Sequence, residues 1–401
     1  MKILYLVGSL EIGGAEAHAV RQISVICRRD FDVQAILCSF KGGTLLKTTK
    51  KSAQNNKFTL YILDKRNIAI LKFLIELYTL IRSEQPDIIH AYAFGPCLWA
   101  RLLCSFFPTQ VVCHYHGISN VAQRWSRFIE KCLQRKTDTF LFNSQSTQKV
   151  YNKYLSSMSK QCVIYNGIAI PTKMDTIDSP KQLNLEEPFE MVTICRLKPI
   201  KAIDVQIEAV AELHRRGRNV ILRIVGDGAI AVDLKKISMS LQISDSVFFE
   251  GFHNDVDRFY RQAKCFLVTS YHETFCLSLC EAMLHGLVCI APNVGGPSEI
   301  ITDGVDGFLV DADKPLPDHV MPGWRPLVWN GAKRTLSPPK SIDSVSLANR
   351  IEYVIDHYAD LHTLRQQARK TVMERFSMER HCNELLVLYH KLMNQTEIKT
   401  T

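Results

Sequence analysis

The sequence lacks the features of membrane-spanning, secreted and fibrous proteins. Its most apolar stretch, AYAFGPCLWARLLCSFF, is interrupted by Gly95, Pro96 and Arg101 and is too short to cross a bilayer. The apolar start MKILYLV soon turns glycine-rich, so it predicts a buried strand and not a signal peptide. Internal repeats and low-complexity tracts are also missing. We therefore expect a folded, cytoplasmic protein.

The thirteen cysteines lack the spacing of a disulfide framework or of a metal site. They occur singly, many of them inside apolar runs such as VTIC and GLVCIA, and their number is odd. Cys276 and Cys280 lie four residues apart, but no second pair follows to complete a zinc site. The pattern predicts reduced thiols that pack as small apolar side chains, without a metal.

An excess of positive charge is confined to the first half of the chain. Residues 1–180 contain 23 Lys and Arg against 12 Asp and Glu, whereas residues 181–401 contain 26 against 28. Either a solvated cationic surface or an anionic partner accounts for this asymmetry. Nucleic acid is disfavoured as that partner, since no nucleic-acid-binding module accompanies the charge.

One basic segment, residues 121–136, also carries apolar side chains at helical spacing. Trp125 and Phe128 belong to its apolar set, with Arg124, Lys131 and other cations around them. Two interpretations fit this pattern equally well. The helix either lies on an anionic membrane surface or packs its apolar side on the core and turns a cationic side to water.

Apolar runs of strand length alternate with amphipathic helical segments, which predicts parallel βαβ units with helices on both faces of each sheet. The length suggests two domains. We expect a Rossmann-like domain at 1–170, a linker at 171–188, a second Rossmann-like domain at 189–375, and at 376–401 a helix that packs back on the first domain. Residues 313–340 hold six of the fifteen prolines and are expected to form an irregular insertion.

Charged residues follow two strands of the second domain. Arg196 and Lys201 bracket a strand-to-helix loop, where two cations beside a helix dipole suit a diphosphate. Glu273 follows the strand KCFLVTS, and Glu281 lies inside the apolar helix LSLCEAML. Carboxylates among apolar residues bind hydroxyls or cations, and a ribose diol is a coherent partner. Surface cations and helix-end charges are the alternatives for each pair taken alone.

The first domain offers two weaker signals. Gly13 and Gly14 lie between the first strand and the first helix, where they serve either a phosphate or a tight turn. The dinucleotide-binding pattern is not matched. His116 lies two residues after His114, nearer the end of its strand, where ligands bind in such sheets. A structural role is the alternative for both histidines.

These motifs in combination resemble a family. GGAE near the start, Arg196 with Lys201, VGDG, and Glu273-x7-Glu281 followed by GG are similar to the retaining GT-B glycosyltransferases of glycosyltransferase family 4. The resemblance implies two doubly wound domains facing a cleft and transfer of a sugar from a nucleotide-diphospho-sugar with retained configuration. It implies a saccharide acceptor, lipid-linked and used in bacterial polysaccharide, lipopolysaccharide or glycolipid synthesis. An enzyme at the inner face of the cytoplasmic membrane would fit this role.

The resemblance also implies roles for individual residues. Arg196 and Lys201 would bind the donor diphosphate, Glu273 would contact the donor sugar, and Glu281 the ribose. His116 would lie near the reacting sugar. The remaining donor-binding positions are Gly13, Gly14, Gly226, Gly228 and the backbone amides of Phe275, Cys276 and Leu277. Thr274, Cys276 and Ala202 stand where the family usually has glycine, which leaves every charged group in place.

The resemblance implies no metal or other cofactor, because the sugar nucleotide is a substrate and Arg196 with Lys201 supply the positive charge. Two other functions stay open at this point. A sugar-nucleotide epimerase of the same architecture would act on the donor alone. A sugar-nucleotide sensor would bind the donor without turnover.

Overall fold

The computed structural model describes most of the chain in two compact units. The described residues are 1–11, 14–30, 32–64, 69–155, 160–171, 174, 177, 187–316, 320 and 326–400. One unit comprises Met1–Ala169 with Phe376–Thr401, and the other comprises Ile170–Arg375. Most of the predicted linker lies outside the described residues, as do Gly13 and Trp324.

The first unit contains a parallel sheet of seven strands in the order β3-β2-β1-β4-β5-β6-β7. The chain enters at the centre and winds outward in both directions, so its helices cover both faces. The strands are β1 (Lys2–Val7), β2 (Gln34–Ser39), β3 (Thr59–Ile62), β4 (Ile88–Tyr92), β5 (Gln110–Tyr115), β6 (Thr139–Phe142) and β7 (Gln161–Val163). The helices are α1 (Gly14–Arg29), α2 (Leu46–Asn56), α3 (Ile70–Glu84), α4 (Phe94–Leu103), α5 (Ser119–Ala122), α6 (Arg124–Leu133) and α7 (Gln145–Tyr154).

The second unit repeats this plan with six parallel strands in the order β10-β9-β8-β11-β12-β13. These strands are β8 (Phe189–Ile194), β9 (Val220–Val225), β10 (Val247–Gly251), β11 (Cys265–Leu267), β12 (Val288–Pro292) and β13 (Phe308–Val310). Its helices are α8 (Ile203–Arg215), α9 (Ala231–Ser240), α10 (Asp257–Gln262), α11 (Leu277–Leu284), α12 (Pro297–Ile300), α13 (Ser344–Asp356) and α14 (His362–Arg375). The predicted α/β fold with two doubly wound sheets is confirmed.

The last helix, α15 (Met378–Thr400), belongs to the first unit. Its Cys382, Leu385 and Tyr389 are buried in the same core as strand β1 and helix α1. The backbone of Ile168 accepts a hydrogen bond from Met378 N at 2.8 Å. The first unit is thus built from both ends of the described chain.

The segment 313–340 differs from the irregular insertion that its prolines suggest. Its described part forms two small antiparallel pairs: β14 (Ala312–Pro315) with β17 (Lys340–Ile342), and β15 (Val328–Asn330) with β16 (Thr335–Ser337). The prolines of the described part lie at or beyond strand ends, where a missing N–H is tolerated. Strand β15 is tied to the second unit, since Gly295 N donates to the carbonyl of Trp329 at 2.9 Å.

Two further expectations from the sequence concern membranes and thiols. Across the described ranges, no helix has both the length and the apolar character needed to cross a bilayer. All thirteen cysteines are free thiols, as predicted.

Candidate functional site

The candidate site lies at the carboxyl edge of the second sheet, where the strand order reverses. Strands β8 and β11 are neighbours, but the chain leaves them toward opposite sides of the sheet. Loops that part in this way open a crevice, which is the usual ligand position in doubly wound sheets. The loop after β8 carries Arg196 and Lys201, and the loop after β11 carries Glu273. The structure therefore brings together residues that are far apart in the sequence.

Lys201 and Glu273 form an ion pair in this crevice. The Lys201 ammonium donates to Glu273 Oε1, and Ser270 Oγ donates to the same oxygen at 2.9 Å. Burial disfavours the charged form of both groups, but the attraction of the opposite charge is stronger. The carboxylate therefore raises the pKa of Lys201, and the ammonium lowers the pKa of Glu273. Both groups are therefore charged at neutral pH.

Arg196 is an exposed cation of the same loop, as is Lys198. Within the described part of the chain, its guanidinium makes no hydrogen bond or ion pair. Because Lys201 already faces Glu273, the exposed Arg196 can meet an incoming phosphate without first breaking a contact.

The VGDG loop packs directly on the Arg196 loop. A Cβ atom on Gly226 would lie 1.9 Å from the carbonyl oxygen of Cys195, and one on Gly228 would lie 2.2 Å from that of Leu197. Leu197 N also donates to the carbonyl of Asp227 at 2.9 Å. Both glycines are thus required by backbone contact, and they hold the Arg196 loop in place.

Two positions that usually carry glycine in the family keep a left-handed backbone here. Ala202 has φ 49° and Cys276 has φ 89°. An L-residue in this region costs about 1–2 kcal/mol. Cys276 precedes α11 directly, so the amides of Cys276 and Leu277 are among the first N–H groups of that helix. Such groups have no acceptor within the helix and suit a phosphate or a hydroxyl. Phe275, the third residue of this predicted set, is buried.

Glu281 lies inside α11, as predicted, and is bound by a residue that sequence analysis missed. Tyr260 on α10 donates its hydroxyl to Glu281 Oε2 at 3.0 Å. The Tyr260 ring stacks on His285 with 5.0 Å between ring centroids. The two nitrogens of His285 lie 2.6 Å from Asp257 Oδ1 and 2.9 Å from the carbonyl oxygen of Glu281. The only signal in the sequence is the spacing of four that places His285 one turn beyond Glu281.

We expect Tyr260→Phe to weaken nucleotide binding by about fivefold to tenfold, because the Glu281 carboxylate loses the hydroxyl that orients it. Isothermal titration calorimetry with the preferred nucleotide measures this change. Tyr353→Phe is the matched control, since Tyr353 is exposed on α13. Equal affinity of Tyr260→Phe and wild type would show that Glu281 needs no such support.

His116 follows strand β5 of the first unit and belongs to a cluster of five histidine rings. Ring centroids lie 4.0 Å apart for His114 and His116, and 4.6 Å apart for His18 and His381. His90 Nε2 lies 3.1 Å from His114 Nδ1. Burial lowers the pKa of His116 to about 3 and that of His381 to about 4. The rings are therefore neutral at pH 7.

The two units carry different parts of the predicted site. His116 and Gly14 belong to the first unit, where Gly14 is the exposed first residue of α1. The donor-binding residues from Arg196 to Glu281 belong to the second. Asp257 contacts both His285 and Arg261, and Arg261 Nε donates to it at 2.5 Å.

The structure has two doubly wound sheets, and the second carries cations and a carboxylate at the point where its strand order reverses. This is the arrangement of GT-B glycosyltransferases. Comparison with family models agrees: residues 12–170 match Glycosyltransferase Family 4, and residues 175–316 match Glycosyl transferases group 1. The chain belongs to this family of glycosyltransferases and is an enzyme of that class.

Individual relatives are similar over most of the chain. A UDP-Gal:alpha-D-GlcNAc-diphosphoundecaprenol alpha-1,3-galactosyltransferase of Escherichia coli is 26% identical over 268 residues, which cover 61% of this chain and 68% of the relative. The lipopolysaccharide core biosynthesis glycosyltransferase LpsE of Rhizobium meliloti is 22% identical, covering 75% and 81%. Among solved structures, Anabaena HepE in complex with UDP and glucose superposes with a TM-score of 0.78 at 21% identity, covering 98% and 100%. At that identity, the last comparison concerns the fold alone.

Proposed function

We propose that the protein is a retaining glycosyltransferase that moves a sugar from a nucleoside-diphosphate sugar to a lipid-linked saccharide. Its product would serve bacterial surface polysaccharide, lipopolysaccharide or glycolipid synthesis. The observation that carries the proposal is the Lys201–Glu273 pair beside the exposed Arg196 at the carboxyl edge of the second sheet. This set offers cations to a diphosphate and a carboxylate to sugar hydroxyls.

Donor binding follows from the position of each group. Arg196 and the first amides of α11 meet the diphosphate, while Glu281, held by Tyr260, accepts hydrogen bonds from the ribose. Lys201 moves from Glu273 to a phosphate oxygen. The Glu273 carboxylate then accepts hydrogen bonds from hydroxyls of the donor sugar.

Transfer with retention needs the acceptor to approach on the side of the leaving group. The acceptor oxygen bonds to C1 as the bond from C1 to the phosphate oxygen breaks, and the electron pair stays on the diphosphate. The acceptor proton passes to the departing phosphate oxygen. Arg196 and Lys201 stabilise the charge that develops there, so we propose that no metal or cofactor is required. His116 of the first unit would lie beside the reacting sugar.

The relatives suggest the substrates to try first. HepE is described with UDP and glucose, and the name of the Escherichia coli relative specifies UDP-Gal and a diphosphoundecaprenol-linked sugar. LpsE is named for lipopolysaccharide core biosynthesis. We therefore propose a UDP-hexose donor and an acceptor presented at the cytoplasmic side of the membrane.

The first test is thermal stabilisation by a panel of UDP-, GDP-, ADP- and CMP-sugars. We expect one nucleotide to raise the unfolding temperature, with a stabilisation of about 2.7 kcal/mol at a hundred times its Kd. Glu281→Ala should abolish the shift. Glu374→Ala, in the exposed part of α14, should not. No shift with any sugar nucleotide would contradict the proposed donor site.

The second test separates transfer from the other functions. The donor is incubated with and without a polyprenyl-diphosphate sugar, and the products are followed by NMR. Transfer predicts an α- or β-glycoside of the same configuration as the donor, formed only with the acceptor. A new sugar epimer formed without the acceptor would indicate an epimerase. Donor binding without any product from an acceptor panel would indicate a sensor.

A further inference from the structure

Helix α6 turns its apolar side chains outward and its polar side chains inward. Trp125 and Phe128 are 59% and 69% exposed, whereas Ser126 and Glu130 are buried. Glu130 accepts hydrogen bonds from Arg101 at 2.7 Å and from the Tyr115 hydroxyl at 2.8 Å. These buried polar contacts fix the orientation of the helix. The core-facing interpretation of residues 121–136 therefore does not hold for Trp125 and Phe128.

The outward apolar side of α6 continues onto two neighbouring helices. The Phe94 ring at the start of α4 contacts Trp125 with centroids 5.6 Å apart, and Phe73 of α3 contacts Trp99 of α4 at 5.6 Å. The exposed apolar side chains of this surface, which we call the α3–α4–α6 face, are Ile70, Leu71, Ile75, Leu102, Phe106, Trp125 and Phe128. Of the large apolar side chains exposed in the described part of the first unit, only Val387 lies elsewhere.

The charge of the α4 and α6 part of the α3–α4–α6 face is positive. Residues 94–136 contain six Lys and Arg, of which Arg101 is buried, and a single acidic residue, Glu130. The charge of Glu130 is compensated in the interior by Arg101. Lys131 in α6 and Arg135 just after it are both exposed. On α3 the charges are balanced, with Glu76 paired with Lys72 at 3.9 Å and Glu84 paired with Lys2 at 3.5 Å.

We propose that the α3–α4–α6 face binds the surface of an anionic lipid bilayer. Trp125, Phe128 and Phe106 would enter the interface between headgroups and acyl chains, and the surrounding cations would meet lipid phosphates. An apolar patch of this extent marks an interaction surface. The charge selects a lipid surface over a second copy of the chain, because two copies of a cationic face repel each other. If the proposed function holds, this contact brings the enzyme to its lipid-linked acceptor.

The test is co-sedimentation of the full chain with phosphatidylcholine vesicles, made with or without phosphatidylglycerol. We expect binding only with phosphatidylglycerol, weakened by salt. Trp125→Ser with Phe128→Ser should lower the partition coefficient by at least about tenfold. Lys131→Gln with Arg135→Gln should lower it by about twentyfold to thirtyfold at low salt, since each cation contributes about fivefold.

The matched control is Met239→Ser with Phe252→Ser, which removes two exposed apolar side chains from the second unit. This variant should bind vesicles as the wild type does. Absence of wild-type binding, or binding unchanged in Trp125→Ser with Phe128→Ser, would overturn the proposal. A lipid-independent dimer that this variant abolishes would assign the face to a second copy and also overturn it.

The vesicle assay needs no sugar nucleotide, so its outcome is separate from that of the donor site. Thermal stabilisation by the preferred sugar nucleotide should be the same in the wild type and in Trp125→Ser with Phe128→Ser. This comparison also shows that the variant is folded.

Discussion

Lys201→Met is expected to lower kcat for sugar transfer by about 10²–10³-fold, because the leaving diphosphate loses a positioned cation. The same change leaves Glu273 as an uncompensated, largely buried carboxylate. We therefore also expect the free energy of unfolding to fall by about 1–2 kcal/mol, discounted for the 24% and 14% exposure of the two side chains. Steady-state kinetics and urea unfolding measure the two effects.

The variant Lys201→Met with Glu273→Gln distinguishes catalysis from stability. Removing both charges should restore the free energy of unfolding toward the wild-type value, while transfer stays as slow as in Lys201→Met or becomes slower. Lys370→Met is the matched control, because its partner Glu374 is as exposed as Lys370 itself and such pairs contribute little. Wild-type kcat in Lys201→Met would contradict the assigned role.

Acid should destabilise the first unit at a pH where most proteins are still stable. The five clustered histidines are neutral in the folded protein because burial lowers their pKa values, to about 3 for His116 and about 4 for His381. In the unfolded chain they bind protons near pH 6.5. Unfolding therefore takes up protons below that pH, and stability is complete above about 6.5 and is lost as the pH falls toward 4.

The loss should be large because several sites act together. Below about pH 6.5, each buried histidine lowers the free energy of unfolding by up to about 1.4 kcal/mol per pH unit. The five together should lower it by about 3–7 kcal/mol between pH 7.5 and pH 5.5. The cations Arg21 and Arg380 near the rings oppose proton uptake further. His272, with a pKa lowered to about 4, adds one such site to the second unit.

Urea unfolding at the two pH values measures the total loss, and hydrogen exchange locates it. After correction for intrinsic exchange rates, amides of β4 and β5 should lose protection at pH 5.5 before those of β9 and β11. Stability that is flat across this range, or earlier loss in the second unit, would show that the histidines are not buried neutral in solution.

The sequence predicts the sheets well, and it places two candidate site residues directly after their strands, for a physical reason. Buried parallel strands read as apolar runs, and ligands meet such sheets at their carboxyl ends, so Arg196 and Glu273 could be found from their positions after MVTIC and KCFLVTS. Strand β3, Thr59–Ile62, is harder to recognise, because it is a short, partly exposed edge strand.

The supporting contacts could not be predicted, because they join distant segments. Tyr260 on α10 donates to Glu281 on α11. The ring of His18 contacts that of His381 only because α15 packs on the first unit. In α6, the sequence periodicity predicts an apolar side and a cationic side, but not which of them faces the core. That direction depends on the buried pair of Arg101 and Glu130.

The return of α15 also sets an order for folding during synthesis. The second unit, continuous from Ile170 to Arg375, has fully left the ribosome before the last helix emerges. Until then, the core around β1 and α1 lacks Cys382, Leu385 and Tyr389 and leaves apolar surface open to water. The half of the enzyme made first is therefore the half completed last, and chaperones have the longest access to it.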